Sequence, residues 1–481
     1  MLWEFQFLHT LLKDGHYRNI ILKLLYCLIQ QLFVNEVNIM INELVTEREW
    51  HNLYPKVDQE YVWEYPLFRG ESEPGKNLFE SQDTPISNDL GLYIHVPFCL
   101  YRCPMCGFYM EIVKDRSFSK RYTDVLIKEF MTYKAHFDFS TKRLKSVYFG
   151  GGTASLLEAE DVGKIVTLIK DTITNNETVE ITVENHPNIA TKKYLEDLKK
   201  NGVNRVSFGI QSFDDIDLRL LKLKQCEEKN VEILQTALDI GFDTVAADLI
   251  YSIPNQTIAG FLSNVNKLIS MGISTISLYS MGLSERQEDL YDLMPSREVE
   301  HQMFNESMQL LLENGYVQVA QPDFCLPNHI NHDTEITWKA PQGEQIALGA
   351  GAWSYYNNFL YCNIHNSKKY MEDVYDKGYS IQHIQKATLD DQMSRYMVLG
   401  ARCFDIPNEP FNNYFGASIF DIYGQEIRLL ESQGLIERTK TGISVTRNGR
   451  YYVDNISKTF YSPANRCRLQ PYCYGVGDEW R

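Results

Sequence analysis

From residue 90 to about residue 282 the chain alternates short apolar runs with stretches whose apolar positions recur at helical spacing. The runs are LYIHV (92–96), SVYFG (146–150), VEITVE (179–184), RVSFGI (205–210), TVAADLIY (244–251) and TISLYS (275–280). Their length and apolar continuity predict buried strands. The periodic stretches at 117–134, 159–170, 191–200, 229–240 and 258–271 predict amphipathic helices. Strands alternating with helices imply βαβ units and a parallel sheet. Six such units predict an α/β fold, a partial (β/α)6 barrel, in which functional residues gather where strands end and loops begin.

The flanks follow other patterns. Residues 1–60 are helical in pattern, with 19–34 the most apolar part. That run is shorter than the roughly 20 residues of a membrane span and is interrupted by Lys23, Gln30 and Gln31, so it predicts a soluble helix. Glu4 and Asp14 precede it and no small-residue cleavage site follows, which argues against a signal peptide. Residues 71–88, with Pro74, Gly75 and Pro85, predict a linker. Towards the C-terminus, helical stretches at 392–403 and 419–433 precede a strand–turn–strand pattern over 434–455, the order of a winged helix. The tail holds Cys467 and Cys473 at C-x5-C spacing; packing or disorder is the first reading, an auxiliary metal or redox pair the alternative.

Composition narrows the class. The chain has 481 residues, 44% hydrophobic and 23% charged, enough for a large domain with an appended module. A net charge of −16 excludes a general binder of nucleic acid or anionic membrane. Ten cysteines without a paired pattern fit a reducing cytoplasm.

Chemistry concentrates after the first strand. Cys99, Cys103 and Cys106 stand at C-x3-C-x2-C spacing in one short loop. Three thiolates on one loop can hold an iron–sulfur cluster, and a cubane so held keeps one iron open for a substrate or cofactor. Structural zinc is the rival; it is normally closed by four ligands, and the nearest extra candidate, His95, falls inside the strand pattern. GGGT (150–153) follows the second strand and offers free N–H groups and close backbone approach. Glu184 and Gln211 end the third and fourth strands, and Asp248 lies within the fifth. Converging with a cysteine loop, they predict a polar ligand site.

LYIHVPFC…C..CGFY, GGGT, ENHP (184–187), GIQSF (209–213) and DLIYSIPNQT (248–257) together resemble the radical S-adenosylmethionine (SAM) enzymes. The likeness is to the HemN-like branch, around oxygen-independent coproporphyrinogen III oxidase, and covers about the middle half of the chain. It implies a TIM-like radical SAM barrel over 89–300, after an N-terminal helical extension and linker at 1–88. A post-barrel segment at 301–387 would close the site, followed by a winged-helix-like HemN domain at 388–460 and a tail at 461–481. It implies a [4Fe–4S] cluster on Cys99, Cys103 and Cys106, with SAM bound by Tyr93, Phe108, Gly151, Gly152, Thr153, Glu184, Gln211 and Asp248. It further implies reductive cleavage of SAM, a tetrapyrrole substrate, a flavodoxin or ferredoxin donor, one or two SAM molecules and a cytoplasmic monomer.

Three departures bear on that likeness. Leu223, between Lys222 and Lys224, stands where the family usually shows an arginine. Phe108 replaces the oxidase's fourth cysteine, and SIP replaces GLP after DLIY. CGFY is similar to the heme-utilisation, heme-chaperone and methyltransferase relatives, so a heme-binding delivery protein is the alternative to an oxidase. The loop at 321–338 adds Asp323, Cys325, His329 and His332, candidates for proton transfer or for binding heme or metal.

Overall fold

The computed structural model describes residues 65–68, 75–81, 87–104, 106–107, 109–174, 178–283, 290–330, 332–333 and 343–466. The helical extension expected over 1–60, Phe108 and the tail cysteines Cys467 and Cys473 lie outside them. No described helix is long and apolar enough to cross a membrane.

The six expected strands form the centre of one sheet. They are β1 (Asp89–Val96), β4 (Arg143–Gly151), β5 (Glu180–Asn185), β6 (Arg205–Gln211), β7 (Thr244–Tyr251) and β8 (Thr275–Ser280), hydrogen-bonded in that order and all parallel. Leu90, Leu92, Ile94 and Val96 alternate along β1 and are fully buried, as are Val147 and Phe149 on β4. Burying such side chains contributes about 1.5–3 kcal/mol each, which fixes the register of these strands. Gly91, Tyr93 and His95 take the other face, turned to the barrel interior. Helices α1 (Ser119–His136), α2 (Ala159–Thr172), α3 (Lys192–Lys200), α4 (Asp215–Leu220), α5 (Glu227–Ile240) and α6 (Ile258–Met271) connect the strands. Thr191 and Thr257 cap α3 and α6 by accepting backbone N–H groups of Tyr194 and Gly260.

The segment beyond the barrel does more than close it. β11 (Glu344–Leu348) adds a seventh parallel strand beside β1, and β12 (Trp353–Tyr356), β13 (Phe359–Asn363) and β14 (Ile381–Lys386) continue the sheet antiparallel. At the other edge β10 (Asp323–Cys325) and β9 (Val317–Gln318) follow β8, making twelve strands. The expected linker also carries structure: a helical turn, Asn77–Glu80, buries Leu78 and sets Phe79 among Tyr133, His136, Phe137 and Tyr379.

The C-terminal region departs from its pattern in detail. The helix expected over 419–433 is two, Ile419–Ile422 and Gly424–Ser432, broken where Gly424 follows Tyr423. The wing has three strands, Asp405–Pro407, Gly442–Val445 and Ile436–Arg438. Residues 449–455, the end of the expected strand–turn–strand pattern, are helical, in helices that run on to residue 459. Tyr461, Ser462 and Asn465 are buried, and Ser462 N–H donates to the Tyr65 hydroxyl at 2.8 Å.

Glu129, on α1, clamps the added strands to the barrel. Its carboxylate accepts from the Gly349 backbone N–H at 3.0 Å, the Tyr370 hydroxyl at 2.5 Å and Asn363 Nδ2 at 2.7 Å. Burial pushes it from 4.5 up to about 7 against those donors. Between those values the folded protein holds a proton the unfolded chain has lost, so stability falls as pH rises through the window. Asp248 and Asp333, both pushed to about 7 chiefly by burial, act in the same sense. Thermal unfolding is therefore expected to drop from pH 5 to pH 8, and to drop less in Glu129→Gln. An equal pH response in the two proteins contradicts this role for Glu129.

Candidate cluster and cofactor site

The cysteine loop is closed at its neck. After Pro97, β2 (Phe98–Cys99) pairs in parallel with β3 (Glu111–Ile112). Glu111 N–H donates to Pro97 O at 2.7 Å and Val113 N–H to Cys99 O at 2.9 Å. Phe98 is wedged against Phe118, ring centroids 4.1 Å apart, and against Tyr122. Cys99 is buried, whereas Cys103 and Cys106 are half-buried, and none of the three forms a disulfide. Burial raises Cys99 and pushes Cys103 up to about 11, and in both cases the charge of neighbouring thiols adds to the rise. A cation bound among such thiols would favour their thiolate forms. Among the described residues no three Cys, His, Asp or Glu side chains converge at the spacing of a single-ion site.

The glycines of GGGT stand where no side chain fits. A Cβ on Gly150 would lie 2.9 Å from the Tyr93 hydroxyl and 3.0 Å from Glu184 Oε2. On Gly151, whose φ is +111°, it would meet the His95 ring at 2.9 Å; on Gly152 it would lie 3.0 Å from Cys99 Sγ. Gly152 N–H donates to Val96 O at 2.9 Å and the Thr153 hydroxyl to Cys99 Sγ at 3.3 Å, locking this turn against the cysteine loop.

Accessibility picks out the same residues. Along β5, β6, β7 and β8 the only positions short of full burial are Glu184, Gly209 and Gln211, Asp248, and Tyr279 and Ser280. On β1 and β4 they include Tyr93, His95, Tyr148 and Gly151. These side chains are surrounded by protein yet keep accessible surface, so the barrel encloses open space at the C-terminal ends of its strands. Glu184 accepts from the Tyr148 hydroxyl at 2.8 Å, and burial raises its pKa against that bond and one from the Gly151 N–H. Asp248 is raised by burial first, then by Glu184 and Asp323. Gln211 has φ +67°, rare for a residue with a side chain, at a register shift between β6 and β7 that turns it out of the strand pattern. His95 donates to or accepts from the Tyr93 hydroxyl through Nδ1 at 3.2 Å, while its Nε2 is buried without a partner; burial lowers it to about 4.

The structure divides the residues of the 321–338 loop. Asp323 joins the barrel wall, accepting from the Ser277 hydroxyl at 2.8 Å, and its charge bears on Asp248. His329 instead bonds Thr244, the first residue of β7, at 3.0 Å, and the His332 N–H reaches Glu180, the first residue of β5, at 3.4 Å. Both histidines therefore sit at the N-terminal ends of the strands, opposite the cysteine loop, and do not join the site as expected. The chain runs back down the barrel after the antiparallel β10, which the sequence pattern did not reveal. Tyr148 and Arg205 were missed as interior residues, although alternation along SVYFG and RVSFGI places them on the face of Gly150 and Gln211. Leu223 packs against Leu221, Ile250, Ile253 and Met281, while Lys224 lies over the Tyr101 ring.

The profile of the Radical SAM superfamily matches residues 93–268, and that of the HemN C-terminal domain residues 387–452. The chain thus carries a radical SAM domain followed by a HemN C-terminal domain. It is 27% identical to the heme chaperone HemW of Lactococcus lactis over 376 residues, 76% of this chain and 96% of that one. To the oxygen-independent coproporphyrinogen III oxidase of Salmonella typhimurium it is 26% identical over 394 residues, 77% of this chain and 85% of that one. Its fold matches coproporphyrinogen III oxidase (HemN) from Escherichia coli with a TM-score of 0.72 at 22% identity, covering 84% of this chain and 99% of that one. A radical SAM fold implies a [4Fe–4S] cluster and SAM. The donor set fits both groups: three thiols on one loop suit iron, and a side-chain-free glycine turn beside carboxylates suits an amino acid with an ammonium group.

Proposed function

We propose that the chain is a radical SAM enzyme of tetrapyrrole metabolism, in which Cys99, Cys103 and Cys106 hold the cluster. The observation that carries the reading is that the accessible positions inside the barrel, Tyr93, Gly151, Glu184, Gln211 and Asp248, are grouped at the strand ends nearest this loop. Once bound and reduced, such a cluster with SAM would supply radical, hydrogen-abstracting chemistry. The chain's residues do the positioning. The Gly151 and Gly152 backbone offers approach to the SAM carboxylate, Glu184 and Asp248 attract its ammonium and ribose hydroxyls, and Gln211 is held at a fixed angle by its bulge. Asp323, in the barrel wall where it accepts from the Ser277 hydroxyl, is the proton-transfer candidate of this reading.

A tetrapyrrole substrate is supported by the relatives' names, and a flavodoxin or ferredoxin donor and a second SAM complete the proposal. The relatives also support a second one, heme delivery, since the heme chaperones match at the same level of identity as the oxidases. The discriminating experiment is anaerobic: protein with reconstituted cluster, dithionite and SAM, assayed for 5′-deoxyadenosine with heme or with coproporphyrinogen III. Deoxyadenosine stimulated by one tetrapyrrole is expected. Heme bound in stoichiometric amount and recovered unchanged, with little deoxyadenosine, would establish the delivery reading instead.

A further inference from the structure

The end of β6 departs from ordinary strand backbone. Gln211 has φ +67°, and Ser212 N–H donates to Ile210 O at 2.9 Å, closing a γ-turn centred on Gln211. A γ-turn with positive φ is rare and strained, and such a conformation persists only where its surroundings over-determine it. Here the surroundings are a lattice of buried polar side chains. Asn230, in the first turn of α5, donates through Nδ2 to Ile210 O at 3.2 Å and to Ser212 O at 3.0 Å, so one amide spans the turn. Gln225 Nε2 donates to Gly209 O at 2.6 Å. On α6, Asn264 accepts the Phe213 N–H through Oδ1 at 3.0 Å and donates through Nδ2 to the Ser212 hydroxyl at 3.1 Å. That hydroxyl donates in turn to Asp217 Oδ2 on α4 at 2.8 Å, and Gln256 Nε2, from the loop after β7, donates to the same oxygen at 2.9 Å. Ser212, Asp217, Gln225, Asn230, Gln256 and Asn264 are all buried. The Gln211 amide is set over Gly209, where a Cβ would lie 2.7 Å from its Nε2. Gly209 and Gln211 are the two accessible positions of β6.

We propose that Asn230 is a positioning residue, whose amide holds the strained turn closed so that the Gln211 side chain stays presented to the ligand space inside the barrel. Without that amide the buried Ser212 and Ile210 carbonyls lose a shared donor, and Gln211 is free to relax towards the negative φ that a residue with a side chain prefers. Rotation about that bond carries the Gln211 amide away from Gly209. The proposal rests on the reading that the barrel interior binds SAM with Gln211 among its contacts.

The test is a double-mutant cycle in full-length protein with reconstituted cluster, read by equilibrium binding of SAM, by iron and sulfide content and by thermal unfolding. Asn230→Ala is expected to weaken SAM binding roughly tenfold at wild-type iron and sulfide, within the coupling seen between residues of one hydrogen-bond network. Gln211→Ala is expected to weaken it as well. In the Gln211→Ala background, adding Asn230→Ala should cost no further SAM affinity, while it lowers the melting temperature in both backgrounds alike. If Asn230→Ala does not fold, Gln225→Ala, which removes the single bond to Gly209 O, takes its place in the same cycle. An equal loss of SAM affinity in both backgrounds overturns the proposal, because the asparagine then acts on the fold and not through Gln211. Wild-type affinity in either single variant overturns it too. A wild-type protein that takes up cluster and binds no SAM overturns the underlying reading first.

Discussion

Cys103→Ser is expected to lose more than about nine-tenths of the iron and sulfide that the wild-type protein takes up. The loop has three thiols, its neck is fixed by the β2–β3 ladder, and no other cysteine among the described residues lies on it to substitute. A serine hydroxyl ionises far less readily than a thiol and is a poor ligand for a soft cluster iron. Cys103 is only half-buried and outside the apolar core, so the variant should fold and unfold like the wild type without cluster. Separate measurement of melting and of iron content distinguishes lost ligation from lost structure. Wild-type iron, sulfide and SAM cleavage in Cys103→Ser would contradict the three-thiolate assignment.

Glu184→Ala is expected to weaken SAM binding by roughly tenfold to a hundredfold while leaving iron and sulfide at wild-type levels. A hydrogen bond to a charged group is worth about 1.5–3 kcal/mol, and about 1.4 kcal/mol is tenfold in affinity. Glu184 reaches Tyr148 and Gly151 rather than the thiols, so its removal acts on the cofactor side of the site. Equilibrium binding of SAM to the clustered protein reads the effect, and unchanged affinity would contradict the role given to this carboxylate.

Much of this site could be read from the sequence because it lies on strands. Six apolar runs specified six parallel strands, with Glu184 at the end of the third and Asp248 within the fifth, while Tyr93 was legible only through the resemblance. The cysteine spacing was visible without any fold. What escaped depended on contacts distant in sequence. β11 has an apolar run like the others, but only its pairing with β1 makes it part of the barrel sheet. Glu129 reads as one more polar position on a helix until Gly349, Asn363 and Tyr370 are seen to surround it. His329 and His332 share a loop with Asp323, yet β10 reverses direction and carries them to the far end of the barrel. The break at Gly424 and the helix at residues 453–459 show local propensity yielding to packing: Val453 and Ile456 are buried there.

The central claim is that one loop and the facing strand ends bind a cluster and SAM together. EPR of the dithionite-reduced, anaerobically reconstituted protein, recorded with and without SAM, tests it directly. The expected result is a reduced [4Fe–4S] signal in the absence of SAM that changes in shape when SAM is added, because SAM binds at the iron the three cysteines leave open. A cluster signal that SAM leaves unaltered, or zinc in place of iron and sulfide, would contradict it.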